Sequence, residues 1–111
     1  MVGRVRVLLY AAAPEGGPGT IRGVYDQISQ RLAGTPGLLR NELLQDVDNG
    51  GDFVIMSEWS SLDAFRAWDS GPSHTSATAA LRPYHSRDRG YGRAFGIYQV
   101  AAEYGDGQQG G

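Results

Sequence analysis

One stretch of the chain, residues 58–74, concentrates the side chains best suited to bind and transform a flat organic molecule. Both tryptophans, Trp59 and Trp68, lie in it together with Phe65 and with His74, one of the two histidines. Aromatic surface around a titratable group is typical of a pocket for a planar ligand. A neutral imidazole near pH 7 can accept a proton from a phenol, which is general-base catalysis. We therefore predict that His74 and Trp68 are catalytic and that Trp59 and Phe65 bind the ligand.

A second candidate group lies at the end of the last predicted helix, where Arg82, Tyr84 and His85 flank Pro83. The guanidinium of an arginine can hold an anionic flavin or a substrate enolate. We predict a catalytic role for Arg82 and a binding role for Tyr84 and His85. The alternative for Arg82 is a basic residue that complements the dipole at the C-terminal end of a helix.

Three polar residues on predicted strands complete the candidate site: Tyr10, Tyr98 and Asn41. The tyrosines could offer hydroxyl groups to a ligand, and Asn41 stands out as a polar residue among leucines. Each candidate also has a purely structural explanation. Strand tyrosines and tryptophans commonly belong to the core, a histidine can bind a loop carbonyl, and Asn41 could form a hydrogen bond across a dimer.

The elements that must position these residues follow from apolar periodicity and turn signals. Four segments rich in apolar and β-branched residues predict strands: residues 5–12, 38–47, 53–59 and 94–101. Three segments predict helices: residues 21–32 after an N-cap at Thr20, residues 62–68 after an N-cap at Ser61, and residues 73–82, which end before Pro83. The Asn49-Gly50 pair predicts a tight hairpin between the second and third strands.

The resulting order, β-α-β-β-α-α-β, predicts an α+β fold of the ferredoxin-like type, with an antiparallel sheet and the helices on one of its faces. Strand residues are apolar on both faces, as in Val7, Leu8 and Leu9. A bare apolar face would be a large exposed patch, so we predict a homodimer in which a second copy covers it. One domain is expected over residues 1–102, followed by a disordered tail rich in Gly and Gln, residues 103–111.

Composition argues against several classes of function. The net charge of −2 leaves no electrostatic footprint for nucleic acid or an anionic membrane. The chain has no cysteine and only two histidines, which argues against a metal site. The apolar run of residues 7–13 is too short for a signal peptide or a membrane span, so we expect a cytoplasmic protein. The glycines of residues 90–96 lack the spacing of a dinucleotide-binding loop, which argues against a Rossmann unit.

Several short motifs resemble those of a known family in their order and spacing. Residues 35–37 (Thr-Pro-Gly) precede the second strand, Glu58 and Trp59 end the third, and residues 70–74 (Ser-Gly-Pro-Ser-His) follow a Ser-capped helix that carries Trp68. Over about residues 3–102 the chain is similar to the antibiotic biosynthesis monooxygenase (ABM) family of dimeric α+β barrels. The resemblance implies a pocket between sheet and helices in each subunit, and activity on aromatic polyketides, haem or quinols. Within the family, the chain most resembles small oxygenases of angucycline pathways, which open a ring of an aromatic polyketide.

Departures from the family pattern narrow the chemistry that the resemblance implies. Haem-degrading members bind iron through a histidine about one turn later in the last helix, where this chain has Thr78, and they use an asparagine on the first strand, which has none here. We therefore expect no haem. Cofactor-free anthrone oxygenases pair the strand-three tryptophan, Trp59 here, with an asparagine four residues earlier, and Ile55 occupies that position.

Three hypotheses for the function remain open. The first is an oxygenase that uses O2 on a polycyclic aromatic polyketide, either with reduced flavin (FADH2 or FMNH2) or without a cofactor, through a substrate carbanion that itself reacts with oxygen. We favour the flavin version, in which a separate reductase supplies the flavin as a loosely bound co-substrate. The second is a non-redox lyase or cyclase with His74 as its base. The third is a binding protein without chemistry.

Overall fold

A computed structural model of the protein describes residues 3–14, 17, 19–71, 79–86 and 94–105. Its strands are β1 (Val5–Ala12), β2 (Leu38–Gln45), β3 (Asp52–Trp59) and β4 (Phe95–Gln99), and its α-helices are α1 (Gly19–Leu32) and α2 (Leu62–Asp69). A 3₁₀ helix spans Ala79–Tyr84. The strands form one sheet in the order β2-β3-β1-β4, and all neighbouring strands are antiparallel. The predicted α+β fold of the ferredoxin-like type is therefore confirmed.

The helices cover one face of this sheet, and the strand register shows which residues point to it. Leu9 of β1 lies opposite Ile55 of β3 and Phe95 of β4, so alternate residues counted from these share a face. That face supplies most of the core, which also includes residues of α1, α2 and the 3₁₀ helix. The buried apolar side chains of this core are Val5, Val7, Ala11, Phe53, Ile55 and Trp59 from the strands, and Ile21, Ile28, Leu32, Phe65 and Leu81 from the helices.

The predicted caps of the two α-helices have different outcomes. Ser61 caps α2 as expected, because its Oγ accepts a hydrogen bond from the backbone N–H of Ala64 at 3.1 Å. Thr20 does not cap α1. The helix already includes Gly19, and the N–H of Thr20 donates to the carbonyl of Gly17 at 3.1 Å, which places Thr20 in the first turn.

Strand ends differ from the predictions where side chains or partners stop the pairing. We expected the second strand to reach Val47, but β2 ends at Gln45 because the carboxylate of Asp46 accepts hydrogen bonds from the N–H groups of Asp48 and Asn49, at 2.8 and 3.1 Å, and so turns the chain. β4 is shorter than the predicted residues 94–101, although Val100 still donates to the carbonyl of Arg4 at 2.8 Å.

A 3₁₀ helix lies where the sequence predicted the end of an α-helix, and it extends past the predicted end at residue 82. Residues 79–84 form a 3₁₀ helix with Pro83 inside it, whereas we predicted a helix that ends before this proline. A 3₁₀ helix tolerates the proline because the missing N–H removes a single i→i+3 bond, and the N–H of His85 still donates to the carbonyl of Arg82 at 3.3 Å. Residues 73–78 of the predicted helix, and residues 106–111 of the predicted tail, lie outside the described residues.

A tight turn at Gly37 fixes the approach of α2 to the sheet. The N–H of Leu38 donates to the carbonyl of Thr35 at 3.2 Å, and Gly37 has φ of 82°, which is a type II turn with Pro36 at its second position. The carbonyl of Gly37 also accepts from the N–H of Ser60 at 2.8 Å. The motif of residues 35–37 therefore joins the start of β2 to the end of β3.

We expect Gly37→Ala to lower the free energy of unfolding by about 2–4 kcal/mol, measured by urea denaturation. A Cβ at this position would lie 2.4 Å from Cβ of Ala64 and would also adopt a positive φ. Gly34→Ala is the matched control, because Gly34 has φ of 81° and none of the described atoms lies within 4 Å of the added Cβ. The control isolates the cost of the backbone conformation, about 1–2 kcal/mol, and equal losses in both variants would contradict the close packing at Gly37.

The opposite face of the sheet, which we call the outer face, carries an apolar patch beside an ionic cluster. Register places Leu8, Tyr10, Leu44, Val54 and Met56 on it. At one end the carboxylate of Glu58, which is buried, pairs with three arginines: Arg6 at 3.0 Å, Arg4 at 3.4 Å and Arg40 at 3.6 Å. No helix among the described residues has the length and apolar character needed to cross a membrane.

Candidate functional site

A cavity of about 320 Å³ lies between the helix-covered face of the sheet and the helices. This volume is at the lower end of the range for small-molecule sites, which is enough for one planar ring system. The walls are mostly apolar and aromatic, with a few polar groups. The sheet contributes Val7, Leu9, Asn41, Ile55, Ser57, Trp59 and Phe95, and the rest of the wall comes from Ile28, Leu32, Phe65, Trp68, Asp69, Arg82 and His85.

Three aromatic rings form one end of the cavity. Trp59 is completely buried, and its ring centroid lies 5.3 Å from that of Trp68 and 5.5 Å from that of Phe65, which meets it edge-on at 71°. Phe65 and Trp68 reach the cavity because they lie three residues apart on α2 and so share one face of that helix. This end of the cavity is therefore part of a packed aromatic cluster.

Two polar side chains lie in the middle of the sheet wall. Asn41 of β2 and Ser57 of β3 are register partners, so their side chains are neighbours on the helix-covered face. The hydroxyl of Ser29 donates to Oδ1 of Asn41 at 3.1 Å, and the indole N–H of Trp59 donates to Oγ of Ser57 at 2.9 Å. A neighbouring side chain thus orients each of them.

The other end of the cavity is ionisable. His85 is held against β1 by a bridge to Ala11 and by the N–H of Ser86, which donates to the carbonyl of Tyr10 at 2.8 Å. Its Nε2 is buried, and Arg82, three residues earlier in the chain, also lines the cavity. A guanidinium can stabilise an anionic oxygen, and an imidazole can accept a proton. This end therefore has the groups needed to form and hold an enolate.

Most of the residues singled out in the sequence meet in this cavity. Register and the helix face bring together six of them: Trp59, Phe65, Trp68, Asn41, Arg82 and His85. Tyr84 does not line the cavity and instead packs, partly buried, against the core. His74 lies outside the described residues, so its role as the base stays a prediction.

Tyr10 and Tyr98 do not line this cavity, because both lie on the outer face, and their predicted binding roles stay predictions. Tyr10 pairs with Val54, and Tyr98 pairs with Arg6. Tyr10 is one residue away from Leu9 along β1, and Tyr98 is three residues away from Phe95 along β4, so both point away from the cavity. Tyr10 lines a separate groove with Leu44, and the ring of Tyr98 lies over Gly96. Since side chains alternate along a strand, neither hydroxyl can reach the cavity.

Sequence reasoning did not identify Ser57, Asp69 and Phe95 as cavity residues. Ser57 had a usable signal, because it lies two residues before Trp59 on the same strand and must therefore face the same way. Asp69 follows Trp68 at the end of α2, where helical spacing alone gave no reason to choose it. Phe95 depends on the register of β4 against β1, which no local pattern indicates.

Comparison with known proteins identifies a family and several relatives that are similar in sequence to this chain. The sequence profile of a family described as antibiotic biosynthesis monooxygenase matches residues 5–80. Deoxynogalonate monooxygenase of Streptomyces nogalater is 30% identical over 91 residues, which cover 82% of this chain and 75% of that protein. Protein SchA of Streptomyces halstedii is 33% identical over 81 residues, or 73% of this chain. The chain spans about a fifth of the length of SchA and of the 42.8 kDa protein in the whiE locus of Streptomyces coelicolor.

Solved structures show the same fold at low sequence identity. The structure of SnoaB, a cofactor-independent oxygenase from Streptomyces nogalater, superposes with a TM-score of 0.73 at 21% identity and covers 96% of this chain and 100% of its own. The structure of Rv0793 from Mycobacterium tuberculosis gives a TM-score of 0.66 at 16% identity, and covers 93% of this chain and 98% of its own. At these identities the likeness is one of fold.

Proposed function

Because the chain belongs to the antibiotic biosynthesis monooxygenase family, we propose that it is an oxygenase that uses O2 on a polycyclic aromatic polyketide. The observation that carries the proposal is the cavity, which combines an aromatic end, a polar centre and an ionisable end in a space suited to one planar ring system. The relative described as deoxynogalonate monooxygenase supports this choice of reaction, and the other relatives come from the same bacterial genus.

The cavity favours the version of this reaction that needs no flavin. A volume of about 320 Å³ is at the lower end of the range for small-molecule sites, which favours a single bound molecule over a flavin and a substrate together. Among the described residues that line it, Arg82 is the only cation, and the carboxylate of Asp69 lines the same cavity, which is a poor setting for a flavin phosphate. The fold likeness to a cofactor-independent oxygenase agrees with this choice. We therefore prefer the cofactor-free reaction to the flavin-dependent one that the sequence had favoured.

The proposed reaction converts a methylene between two aromatic rings into a carbonyl. A histidine removes one proton from the methylene, and Arg82 stabilises the resulting enolate oxygen. The carbanion then transfers electrons to O2 and forms a C–O bond, which gives a hydroperoxide after protonation. Loss of water from the hydroperoxide yields the carbonyl, so that one oxygen atom enters the product, the other leaves as water, and no external reductant is required.

The proton acceptor in this reaction is one of two histidines. His85 lines the same cavity as Arg82. The sequence instead favoured His74 as the base and also placed Trp68 among the catalytic residues. We propose His85 as the base because it lines the cavity, and Trp68 as a residue that packs against the substrate rings. His74 remains the competing candidate.

Oxygen uptake with anthrone as the substrate tests the proposed function. We expect enzyme-dependent uptake above the blank without flavin, with one anthraquinone formed per O2 consumed. Uptake only when chemically reduced FMN is added would favour the flavin version, and turnover of anthrone without oxygen consumption would indicate a lyase or cyclase. Tight binding without any turnover would indicate a binding protein. An angular polycyclic substrate is the second probe, because the sequence resembles angucycline oxygenases that open a ring.

We also propose that two copies of the chain pair through the outer face. Met56 on that face is buried within the described chain, but Leu44 is 45% exposed and Leu8, Tyr10 and Val54 are only half-buried. Leu44→Glu is expected to shift the protein from the dimer to the monomer position in gel filtration with light scattering, because it would bury two carboxylates across the contact. Ala67→Glu, on the exposed side of α2, is the matched control and should leave the dimer intact. A wild-type protein that elutes as a monomer at micromolar concentration would contradict the proposal.

A further inference from the structure

We propose that Asn41 and Ser57 form an oriented pair of hydrogen-bond donors that binds one oxygen atom of the ligand at the centre of the sheet wall. The inference rests on the proposed function for the class of ligand, an oxygenated polycyclic aromatic. It adds a specific site within the cavity and assigns a role to Ser57, which the sequence did not suggest.

The two side chains are close enough to act on the same atom. Asn41 and Ser57 are register partners on neighbouring antiparallel strands, and both line the cavity. The Cβ atoms of such partners lie about 4.5–5.5 Å apart, so polar groups one bond further out can converge on one acceptor. The neighbours of Ser57 on the same face of the sheet include Val7 and Ile55, which offer no hydrogen bonds from their side chains.

Asn41 is oriented so that its amide nitrogen is left for the cavity. Its Oδ1 accepts the hydroxyl proton of Ser29 at 3.1 Å, which uses one of the two lone pairs of that oxygen and fixes which end of the amide faces Ser29. Its backbone carbonyl accepts from the hydroxyl of Tyr25 at 3.3 Å, which ties this part of β2 to α1. The remaining polar group of the side chain is Nδ2, which has two N–H donors.

Ser57 is oriented by the tryptophan two residues further along its strand. The indole N–H of Trp59 donates to Oγ of Ser57 at 2.9 Å, and an indole nitrogen can only donate. Ser57 is the acceptor in that bond, so its own hydroxyl proton is available to a ligand. Phe65 and Trp68 hold the indole ring in place, which makes Trp59 a positioning residue for Ser57.

Two donors that converge on one point select for a ligand atom that accepts hydrogen bonds. A carbonyl or phenolate oxygen has lone pairs for both donors, whereas a hydrocarbon ring would bury them without partners and lose their bonds to water. The pair also lies between the aromatic end and the ionisable end of the cavity, along the same strand wall. A ligand oxygen bound here would therefore set how far the ring system slides towards Arg82 and His85.

A pair of probes of the same shape tests the inference by binding alone. Anthraquinone-2-sulfonate and anthracene-2-sulfonate differ in two carbonyl oxygens, and quenching of tryptophan fluorescence gives a Kd for each. We expect the wild-type protein to bind the quinone about tenfold more tightly than the hydrocarbon. Asn41→Leu and Ser57→Ala should each reduce that preference about three- to tenfold and leave the Kd for the hydrocarbon within about twofold.

Two further variants separate the donor role from a structural one. Ser57→Thr keeps the hydroxyl and should retain the preference for the quinone. Ser29→Ala keeps Asn41 but removes the group that orients it, and should give a smaller loss than Asn41→Leu. Ser57→Ala also removes the acceptor of the buried Trp59 N–H and so could prevent folding. In that case the quinone preference of Asn41→Leu alone decides whether the pair acts as a donor site.

The possible outcomes separate this inference from the proposed function. A quinone preference that is absent from the wild type, or unchanged in both variants, overturns the donor pair while oxygen uptake with anthrone still supports the oxygenase. Parallel losses for both probes also overturn it, because they show a general effect on the cavity. Failure of the wild type to bind either probe overturns both the donor pair and the aromatic pocket on which the proposed function rests.

Discussion

Replacing His85 by alanine is expected to lower kcat/KM for anthrone oxidation by about 10²- to 10⁴-fold and to leave the fold intact. The expectation follows from position: His85 lines the cavity, and its backbone is fastened to β1 through Ala11 and Tyr10. A proton acceptor that is fixed in this way can act on a ring bound against the sheet wall. Oxygen-electrode rates, with circular dichroism to confirm folding, provide the measurement.

His74→Ala is the control variant for His85→Ala. Each of the two variants removes one of the two histidines of the chain, so the loss of activity can be assigned to one imidazole. His85→Gln serves as a second variant that keeps a polar side chain of similar size and should lose as much activity as His85→Ala. A larger loss in the His74 variant would contradict the choice of His85 and restore the base that the sequence favoured.

Replacing Trp59 by alanine is expected to lower the free energy of unfolding by about 3–5 kcal/mol. Trp59 is the largest of the fully buried side chains, it contacts both Phe65 and Trp68, and its N–H is bonded to Ser57. Its removal would leave a large cavity where α2 meets the sheet. A loss of this size approaches the total stability of a small domain, so chemical denaturation of the purified variant should show a partly unfolded protein in buffer.

Trp68→Ala is the matched control for Trp59→Ala. Trp68 is only partly buried, so the expected loss of stability is about 1–2 kcal/mol, while binding of anthraquinone-2-sulfonate should weaken about three- to tenfold because a stacking surface is lost. Trp59→Phe should retain most of the stability and lower the preference for the quinone probe. Equal effects of Trp59→Ala and Trp68→Ala on stability would contradict the role of Trp59 as the buried centre of the aromatic cluster.

The fold was predictable from local patterns. Apolar side chains on both faces marked the strands, the spacing of three and four residues marked α1, and the Ser61 cap marked the start of α2. Errors concentrated where tertiary context or a single side chain decides the outcome. The hydrogen bonds of the Asp46 side chain end β2 two residues earlier than predicted. Pro83 lies inside a 3₁₀ helix, although a proline normally ends an α-helix.

The candidate site was only partly predictable, because the face of a strand residue depends on register. The sequence assigned both Tyr10 and Asn41 to the binding site as strand residues, yet pairing puts Asn41 opposite Ser57 in the cavity and Tyr10 opposite Val54 on the outer face. A shift of one residue exchanges the two faces. Ser57 escaped notice because a serine on a strand is unremarkable until the indole N–H of Trp59 and the amide of Asn41 are seen beside it.

Isotope labelling shows whether the cavity activates its substrate towards O2 without a cofactor. Anthrone would be incubated with the protein under ¹⁸O2 in the absence of flavin, and the anthraquinone would be examined by mass spectrometry. We expect product formation above the blank, with one labelled oxygen atom in each molecule of product, and loss of that product in His85→Ala. Product without label, or formation no faster than in the blank, would contradict this expectation.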